Sequence, residues 1–195
     1  MTIRLRMLLG AAALLCILSP PVGAQQAVFS FDPSATRIRF TLGATLHAVH
    51  GTMQLKRGEI HFDPATGNAS GEVVVDATSA ETGNKSRDHK MHKEVLESAM
   101  YPEIIFTAEH VSGAIQETGE TQLQLTGIFE LAGTKHPMTL PVSFHRAAPG
   151  DSAHARTTFA VPYVEWGLRN PSTLFLRVSD HVDMEIEATG RLSGE

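Results

Sequence analysis

The chain has 195 residues, with 16 Lys and Arg against 21 Asp and Glu, and its formal net charge is −5 at pH 7. Because the cations are scattered along the chain, this balance argues against a nucleic-acid partner. The length suits one domain with a core of its own. After the first 24 residues no segment reaches the roughly 20 apolar residues of a membrane-spanning helix. We therefore expect one globular domain with no stable membrane span.

The first 24 residues have the pattern of a cleaved secretory signal. Two arginines precede an apolar stretch from Met7 to Leu18, and small residues follow a Pro-Pro pair up to Ala24. We expect residues 1–24 to be a signal peptide and residues 25–195 to be the mature domain, exported into an oxidising compartment. The only cysteine, Cys16, lies within the signal, so the mature domain depends on core burial without a disulfide.

Apolar side chains recur at every second position through most of the mature chain. This period is typical of strands that have one apolar face and one wet face. The alternating runs lie at residues 37–42, 73–75, 122–126, 138–145, 159–163 and 182–188. About eight strands joined by short turns favour a sandwich or a closed barrel, and the pattern alone does not choose between them. Gly127 shifts the apolar phase that Leu123 and Leu125 set, which predicts a bulge on that strand.

One segment has a helical period instead. Met91 and Leu96 are spaced as on a helix face, and Asn84 or Ser86 could cap its start. We predict a short helix over residues 86–98. It could cap one opening of a barrel, with Met91 as a gate, or pack on the outside.

Several short strings occur in a fixed order along the mature chain. They are FDP at 31–33, HAVHGTM at 47–53, GEIHFDP at 58–64, DATSAETG at 76–83, YPEIIF at 101–106, GTKHPM at 133–138 and EWGL at 165–168. Together, over roughly Val28 to Arg191, they make the sequence similar to the YceI-like family of periplasmic polyisoprenoid-binding proteins. Lys90 stands where that family usually has a histidine.

This resemblance implies an all-β fold: a lipocalin-like, extended antiparallel β-barrel of about eight strands with one short helix. It also implies that the pore takes up an isoprenoid chain, with the polar tip of the lipid at the mouth. Transfer from water would hold such a chain, at roughly 0.8 kcal/mol per buried methylene. The residues expected to contact the lipid are Phe40, Leu42, Val73, Val75, Met91, Phe106, Leu125, Met138, Leu140, Phe144, Phe159, Tyr163 and Met184.

The ten histidines leave a metal-binding function open. His89 and His92 are three apart, which would put them on one helix face, and His47 and His50 could add ligands from a strand. No recognised ligand spacing is completed, however, and solvated surface imidazoles explain the same residues. Motifs of hydrolases, zinc proteases and nucleotide-binding enzymes are missing, so we expect no catalytic residue, no cofactor and no metal.

We therefore expect a periplasmic carrier or reservoir for an isoprenoid lipid of polyprenyl or quinone type. Its expected partners are that lipid, the inner membrane in transient contact, and a second copy if the protein is a homodimer. The alternatives are a histidine-based metal-binding or redox-associated protein, and a solid-core barrel that only binds other proteins. A continuous apolar cavity of several hundred cubic ångströms is expected of a ligand site and not of a filled core.

Overall fold

Nine β-strands and one α-helix make up the part of the chain that the structure describes. A computed structural model describes residues 26–116, 118–146, 148, 152–173 and 177–194, so the expected signal peptide lies outside the described residues. The elements are β1 (Ala27–Phe31), β2 (Arg37–Leu42), β3 (Val49–Phe62), β4 (Ala69–Glu81), α1 (Lys85–Glu94), β5 (Glu103–Ser112), β6 (Gly119–Leu131), β7 (Thr134–Arg146), β8 (Ser152–Val161) and β9 (Val182–Ser193).

The strands form one antiparallel sheet that closes on itself. Around the ring, β3 is followed by the position of β1 and β2 and then by β9, β8, β7, β6, β5 and β4. β4 pairs with β3 again and closes the ring. β1 and β2 share one position in this ring, since each pairs with β3 on one side and β9 on the other. The result is an eight-stranded barrel with one extra strand and one short helix, which confirms the predicted fold class. Closure also removes the exposed sheet edges that a sandwich would keep.

Antiparallel order sends the connections alternately to two ends of the barrel. We call one the helix end, because it carries residues 82–102 with α1, together with residues 43–48, 132–133, 162–173 and 177–181. The other is the turn end, which carries the β3–β4, β5–β6 and β7–β8 connections. No helix among the described residues is long and apolar enough to cross a membrane.

The predicted bulge occurs, but on a different strand. β6 keeps one phase, because Leu125 and Phe129 both face the interior. The extra residue is Glu109 of β5, across from the Gly127 region of β6. Gly127 is needed for close approach, since a Cβ there would overlap the carbonyl oxygen of Thr107 on β5. The glycine in the alternating pattern therefore predicted the position of the bulge along the sheet, but it predicted the wrong strand of the pair.

The helix is shorter than predicted, ending at Glu94 instead of residue 98. Asn84 caps its start, where its side-chain oxygen accepts two backbone N–H groups of the first turn at 3.1 Å each. Beyond Glu94 the chain leaves helical geometry, and Glu97 has a φ of 47°. Leu96 still reaches the core and is buried, but it does so from an irregular turn.

Candidate functional site: an apolar cavity inside the barrel

An apolar cavity of about 130 Å³ lies inside the barrel. Inward side chains from every strand except β2 line it, together with Ile115 of the β5–β6 connection. Of its 23 wall residues, all but Arg156 and Thr157 are apolar. The wall is continuous because each strand alternates, so that every second residue of each strand faces the same enclosed space.

Seven of the predicted ligand-binding residues belong to this wall. They are Val73, Val75, Phe106, Leu125, Leu140, Phe144 and Phe159. The other six lie towards the helix end and fill it. Of these, Phe40, Tyr163 and Met184 are buried, whereas Leu42, Met91 and Met138 are partly buried against the same core. Contact of any of these side chains with a lipid stays a prediction.

Several wall residues were not among the predicted ones, although the sequence carried a signal for some of them. Ile104 shares its face of β5 with Phe106, and Leu123 shares its face of β6 with Leu125. Period-two alternation would have included both. Phe29 lies on the short strand β1, whose five residues give too brief an alternation to identify.

The size of the cavity limits what it holds without rearrangement. A cavity of roughly 150 Å³ binds one benzene, whereas pockets for drug-sized ligands span about 300–1,000 Å³. At about 130 Å³ this cavity suits one ring-sized group and falls short of the several hundred cubic ångströms expected. A long isoprenoid chain therefore requires wall side chains to move.

Aromatic rings form much of the movable wall. Phe29 and Phe144 meet edge to face with centroids 5.7 Å apart, and Phe129 and Phe159 do so at 6.2 Å. Edge-to-face pairs are each worth only about 0.5–1.5 kcal/mol beyond their burial. The loss of these ring–ring contacts therefore adds little to the cost of rotating the rings and widening the cavity.

Two polar residues interrupt the apolar wall, and they behave differently. The guanidinium group of Arg156 is directed outward, where it pairs with Glu185 of β9. Thr157 belongs to the inward-facing set of β8, and its hydroxyl oxygen is buried with no hydrogen-bond partner. Neither residue therefore presents a polar group to the cavity, whose surface is apolar almost throughout.

α1 is held across the helix end by contacts on both sides. The Nε2–H group of His92 donates to the carbonyl of Ala80 at 2.9 Å, and Nδ1 accepts from the hydroxyl of Ser98 at 2.9 Å. On the other side, Nζ of Lys90 lies 3.5 Å from the carbonyl oxygen of Pro171. These contacts join α1 to β4 and to the β8–β9 connection, and the capping of the opening stays a prediction.

Charged side chains at the start of α1 converge on Thr82. A carboxylate oxygen of Asp88 accepts from the backbone N–H of Thr82 at 2.9 Å and from its hydroxyl. The guanidinium group of Arg87 donates to the same hydroxyl at 2.7 Å and to the carbonyl of Thr82 at 3.1 Å. These bonds stabilise the entry into the helix.

Tyr163, one of the predicted ligand-binding residues, also joins two parts of the fold. Its hydroxyl donates to the carbonyl of Ser179 at 2.8 Å and so ties β8 to the residues before β9. Burial, aided by the negative charge of Asp180, raises the pKa of Tyr163 to about 12. A phenol that stays protonated in this way is a structural donor.

The structure does not gather the four histidines of the metal-binding alternative. Both ring nitrogens of His92 are already hydrogen-bonded, and Nδ1 of His50 lies 3.0 Å from the hydroxyl of Thr41. His47 and His89 are exposed. Among the described residues no three His, Cys, Asp or Glu side chains are grouped so that they could hold a metal ion.

Comparison with known proteins identifies the family. The model of the YceI-like domain matches residues 29–190, which span almost the whole barrel. The chain belongs to the YceI-like family. This confirms the resemblance that the short sequence strings indicated.

Relatives of this YceI-like protein agree with the assignment. A UPF0312 protein of Pseudomonas savastanoi pv. phaseolicola is 29% identical over 148 residues, 73% of each chain. A polyisoprenoid binding domain from Saccharophagus degradans superposes with a TM-score of 0.65 at 15% identity, over 85% of this chain and 98% of that one. BcnA of Burkholderia cenocepacia gives 0.64 at 16% identity, over 82% and 98%. At such identities the two structures show a shared fold.

Proposed function

We propose that this YceI-like protein binds the chain of an isoprenoid lipid, of polyprenyl or quinone type, inside its barrel. It acts as a carrier or reservoir in the periplasm, where the expected signal peptide directs it. The observation that carries this proposal is the continuous apolar wall to which eight of the nine strands contribute. The similarity in fold to a polyisoprenoid binding domain supports it.

The energetics favour widening of the cavity by such a ligand. One five-carbon isoprene unit gains about 4 kcal/mol on leaving water, at roughly 0.8 kcal/mol per carbon. Turning one wall ring to an unfavourable rotamer costs about 0.5–1.5 kcal/mol. Each inserted unit therefore outweighs the displacement of one aromatic side chain, and affinity grows with chain length until the barrel is full.

The helix end makes transient contact with an anionic membrane surface. Leu46 and Met100 are the large apolar side chains that stand out as exposed among the described residues, at 78% and 68%, and both lie in helix-end connections. These connections together carry six Lys or Arg against five Asp or Glu. The described residues of the turn-end connections carry Asp63 and no Lys or Arg, so that end offers no cation to attract an anionic surface.

Side chains that fill the helix end suit a gate. Met91, Met138 and Met184 lie there, and methionine adapts its shape with little cost. Their rearrangement beneath α1 opens a route between the membrane and the cavity. The gating role predicted for Met91 is thereby part of this proposal.

Lipid binding is tested on the mature protein, residues 25–195, purified from a periplasmic extract without detergent. Organic extraction and mass spectrometry should find about one isoprenoid lipid per protein, and delipidated protein should take up added polyprenol or quinone. Absence of both a bound lipid and uptake would overturn the proposal. Sequencing of the mature N-terminus checks export and cleavage after Ala24, and light scattering of the same sample checks for a homodimer.

Membrane contact is tested separately by flotation with vesicles that contain an anionic phospholipid. Replacing Leu46 and Met100 together by serine should lower vesicle binding at least about five-fold, because two exposed apolar side chains are lost. Uptake of lipid from solution should not change. A matched control replaces Asp63 at the turn end by asparagine and should leave flotation unchanged. Equal flotation of all variants would refute the role of the helix end.

A further inference from the structure

The ladder between β7 and β8 is short for the length of these strands. β7 has 13 residues and β8 has 10, but only residues 143–146 of β7 pair with residues 153–156 of β8. Residues 134–142 and 157–161 continue towards the helix end, and no pairing joins these two segments, all of whose residues the structure describes. We call the gap between them the seam. The strand edges that closure removes elsewhere in the ring persist there.

Two prolines on β7 explain why the ladder ends. The β6–β7 hairpin has two residues, 132–133, with φ values of 48° and 75°, so Leu131 and Thr134 exchange both of their hydrogen bonds. Counted from Thr134, even-numbered residues of β7 turn their N–H and C=O groups to β6, and odd-numbered residues turn theirs to β8. Pro137 and Pro141 are odd-numbered, so the donors that they lack are missing on the β8 side.

Side chains hold the seam together in place of the backbone. The tight turn after β8 carries Trp166, whose ring stacks on that of His136 of β7 with centroids 4.1 Å apart and planes 3° apart. Phe159 of β8 meets Phe129 of β6 edge to face at 6.2 Å, and Phe129 also contacts Trp166 at 5.7 Å. Such contacts open by side-chain rotation, whereas a ladder opens only with the loss of several hydrogen bonds.

The seam lies between the helix end and the cavity. Four residues of the cavity wall border it, two on each strand: Leu140, Val142, Thr157 and Phe159. Its other limit is the helix end, because the β6–β7 hairpin and the residues that follow β8 lie there. Separation of its two sides therefore joins the helix end to the cavity without breaking a backbone hydrogen bond between strands.

We propose that the barrel opens sideways along the seam and admits the lipid chain between β7 and β8, with the stack of Trp166 on His136 as the latch. This proposal rests on the proposed lipid binding and adds the route by which the chain reaches the same cavity. The route continues the one beneath α1, since both begin at the helix end. A long flexible chain then enters along its length and does not have to thread the barrel from one end.

Cross-linking across the seam tests this proposal, and residues 25–195 contain no cysteine that would interfere. The variant Thr139→Cys/Ala160→Cys places one thiol on each side, at exposed positions that the β7–β8 register would pair if it continued. The matched control Thr126→Cys/Thr139→Cys places both thiols on the intact β6–β7 ladder, where the two residues are partners. Each variant is bridged by a bismaleimide with a reducible disulfide in its spacer, and mass spectrometry confirms the intramolecular link.

The measurement is the rate at which delipidated protein takes up and releases a dansyl-labelled geranylgeranyl probe. Bridging the seam should slow both rates at least about 10-fold and change the affinity less than about two-fold, because a blocked route raises the barrier and leaves both end states alone. Trp166→Ala removes the latch without changing the cavity wall and should speed both rates about 3- to 10-fold. Trp166→Phe, which keeps a ring, should stay close to wild type.

The outcomes separate the seam from the proposed function. If wild-type protein binds no probe, lipid binding fails, and lateral entry fails with it. If it binds the probe and the bridged seam variant takes it up as fast as the bridged control, lateral entry is refuted while lipid binding stands. Rates unchanged in Trp166→Ala refute the latch. Slow exchange in the bridged seam variant alone, reversed when the spacer is reduced, supports the proposal.

Discussion

Replacing Ala155 with leucine tests whether the cavity is the binding site, because it should raise stability and lower binding together. Ala155 faces the cavity from β8, across from Phe144 on β7 and Ala188 on β9. A leucine there extends into the open volume instead of into solvent. Substitutions that merely damage the fold would lower both quantities, so the opposite signs are diagnostic.

The expected size of the effect follows from the cavity volume. An unfilled cavity costs about 24 cal/mol per Å³, so the roughly 130 Å³ here corresponds to about 3 kcal/mol. If the added carbons fill half of it, the free energy of unfolding rises by about 1.5 kcal/mol. For a domain of this size that raises the melting temperature by about 3–6 °C. The same atoms exclude about one isoprene unit, worth roughly 4 kcal/mol, so lipid affinity should fall 100-fold or more.

Thermal unfolding of delipidated protein and titration with a fluorescent polyprenyl probe measure the two effects. Ala160→Leu is the matched control, because Ala160 lies on the exposed outer face of the same strand. It should leave both the melting temperature and the affinity close to wild type. Unchanged lipid affinity in Ala155→Leu would refute the assignment of the cavity as the site.

Three further substitutions test individual features of the fold. Gly127→Ala should lower the free energy of unfolding by about 3 kcal/mol, since the new Cβ overlaps a backbone oxygen of β5; an unchanged urea midpoint would contradict that close approach. Asn84→Ala should cost about 1 kcal/mol through loss of the helix cap, and Asn84→Asp should restore it; equal stability of all three in urea would refute the cap. Tyr163 has its pKa raised by burial from 10.0 to about 12, so its proton is held more tightly in the folded state than in the unfolded state. The stability it contributes is complete below pH 10 and is lost as pH rises through 12, and Tyr163→Phe should flatten the fall in melting temperature over that range. A fall of the same size in the phenylalanine variant would assign it to other groups.

The sequence alone was sufficient for features that depend on near neighbours. Alternation of apolar residues identifies strands, because adjacent side chains on a strand point to opposite faces whatever the strand packs against. Asn84 was recognisable as a cap, because a cap bonds to amide groups only two or three residues away. The C-terminal boundary of α1 was harder to predict. The residue with left-handed backbone geometry after it is Glu97, and a glycine, the usual sequence signal for that geometry, is missing there.

The interior was only partly predictable, because alternation tells which residues face inward and not what lies opposite them. Phe144 borders the cavity, while Met184, which faces inward from β9, packs into the filled helix end. The difference arises from which side chains meet across the barrel, and these are far apart in the chain. The strand that carries the bulge could not be predicted for the same reason. Gly127 is required by the close approach of β5, and the extra residue lies in β5 and not in β6.

By itself the sequence determined an all-β domain with wet and apolar strand faces, a capped helix and membership of a family. Tertiary structure decided how the sheet closes, how large the cavity is, and which side chains border it. Closure depends on the pairing of β3 with β4 and on β1 and β2 sharing one place in the ring. The cavity border depends on residues that are far apart in the chain, because its wall joins side chains from eight strands.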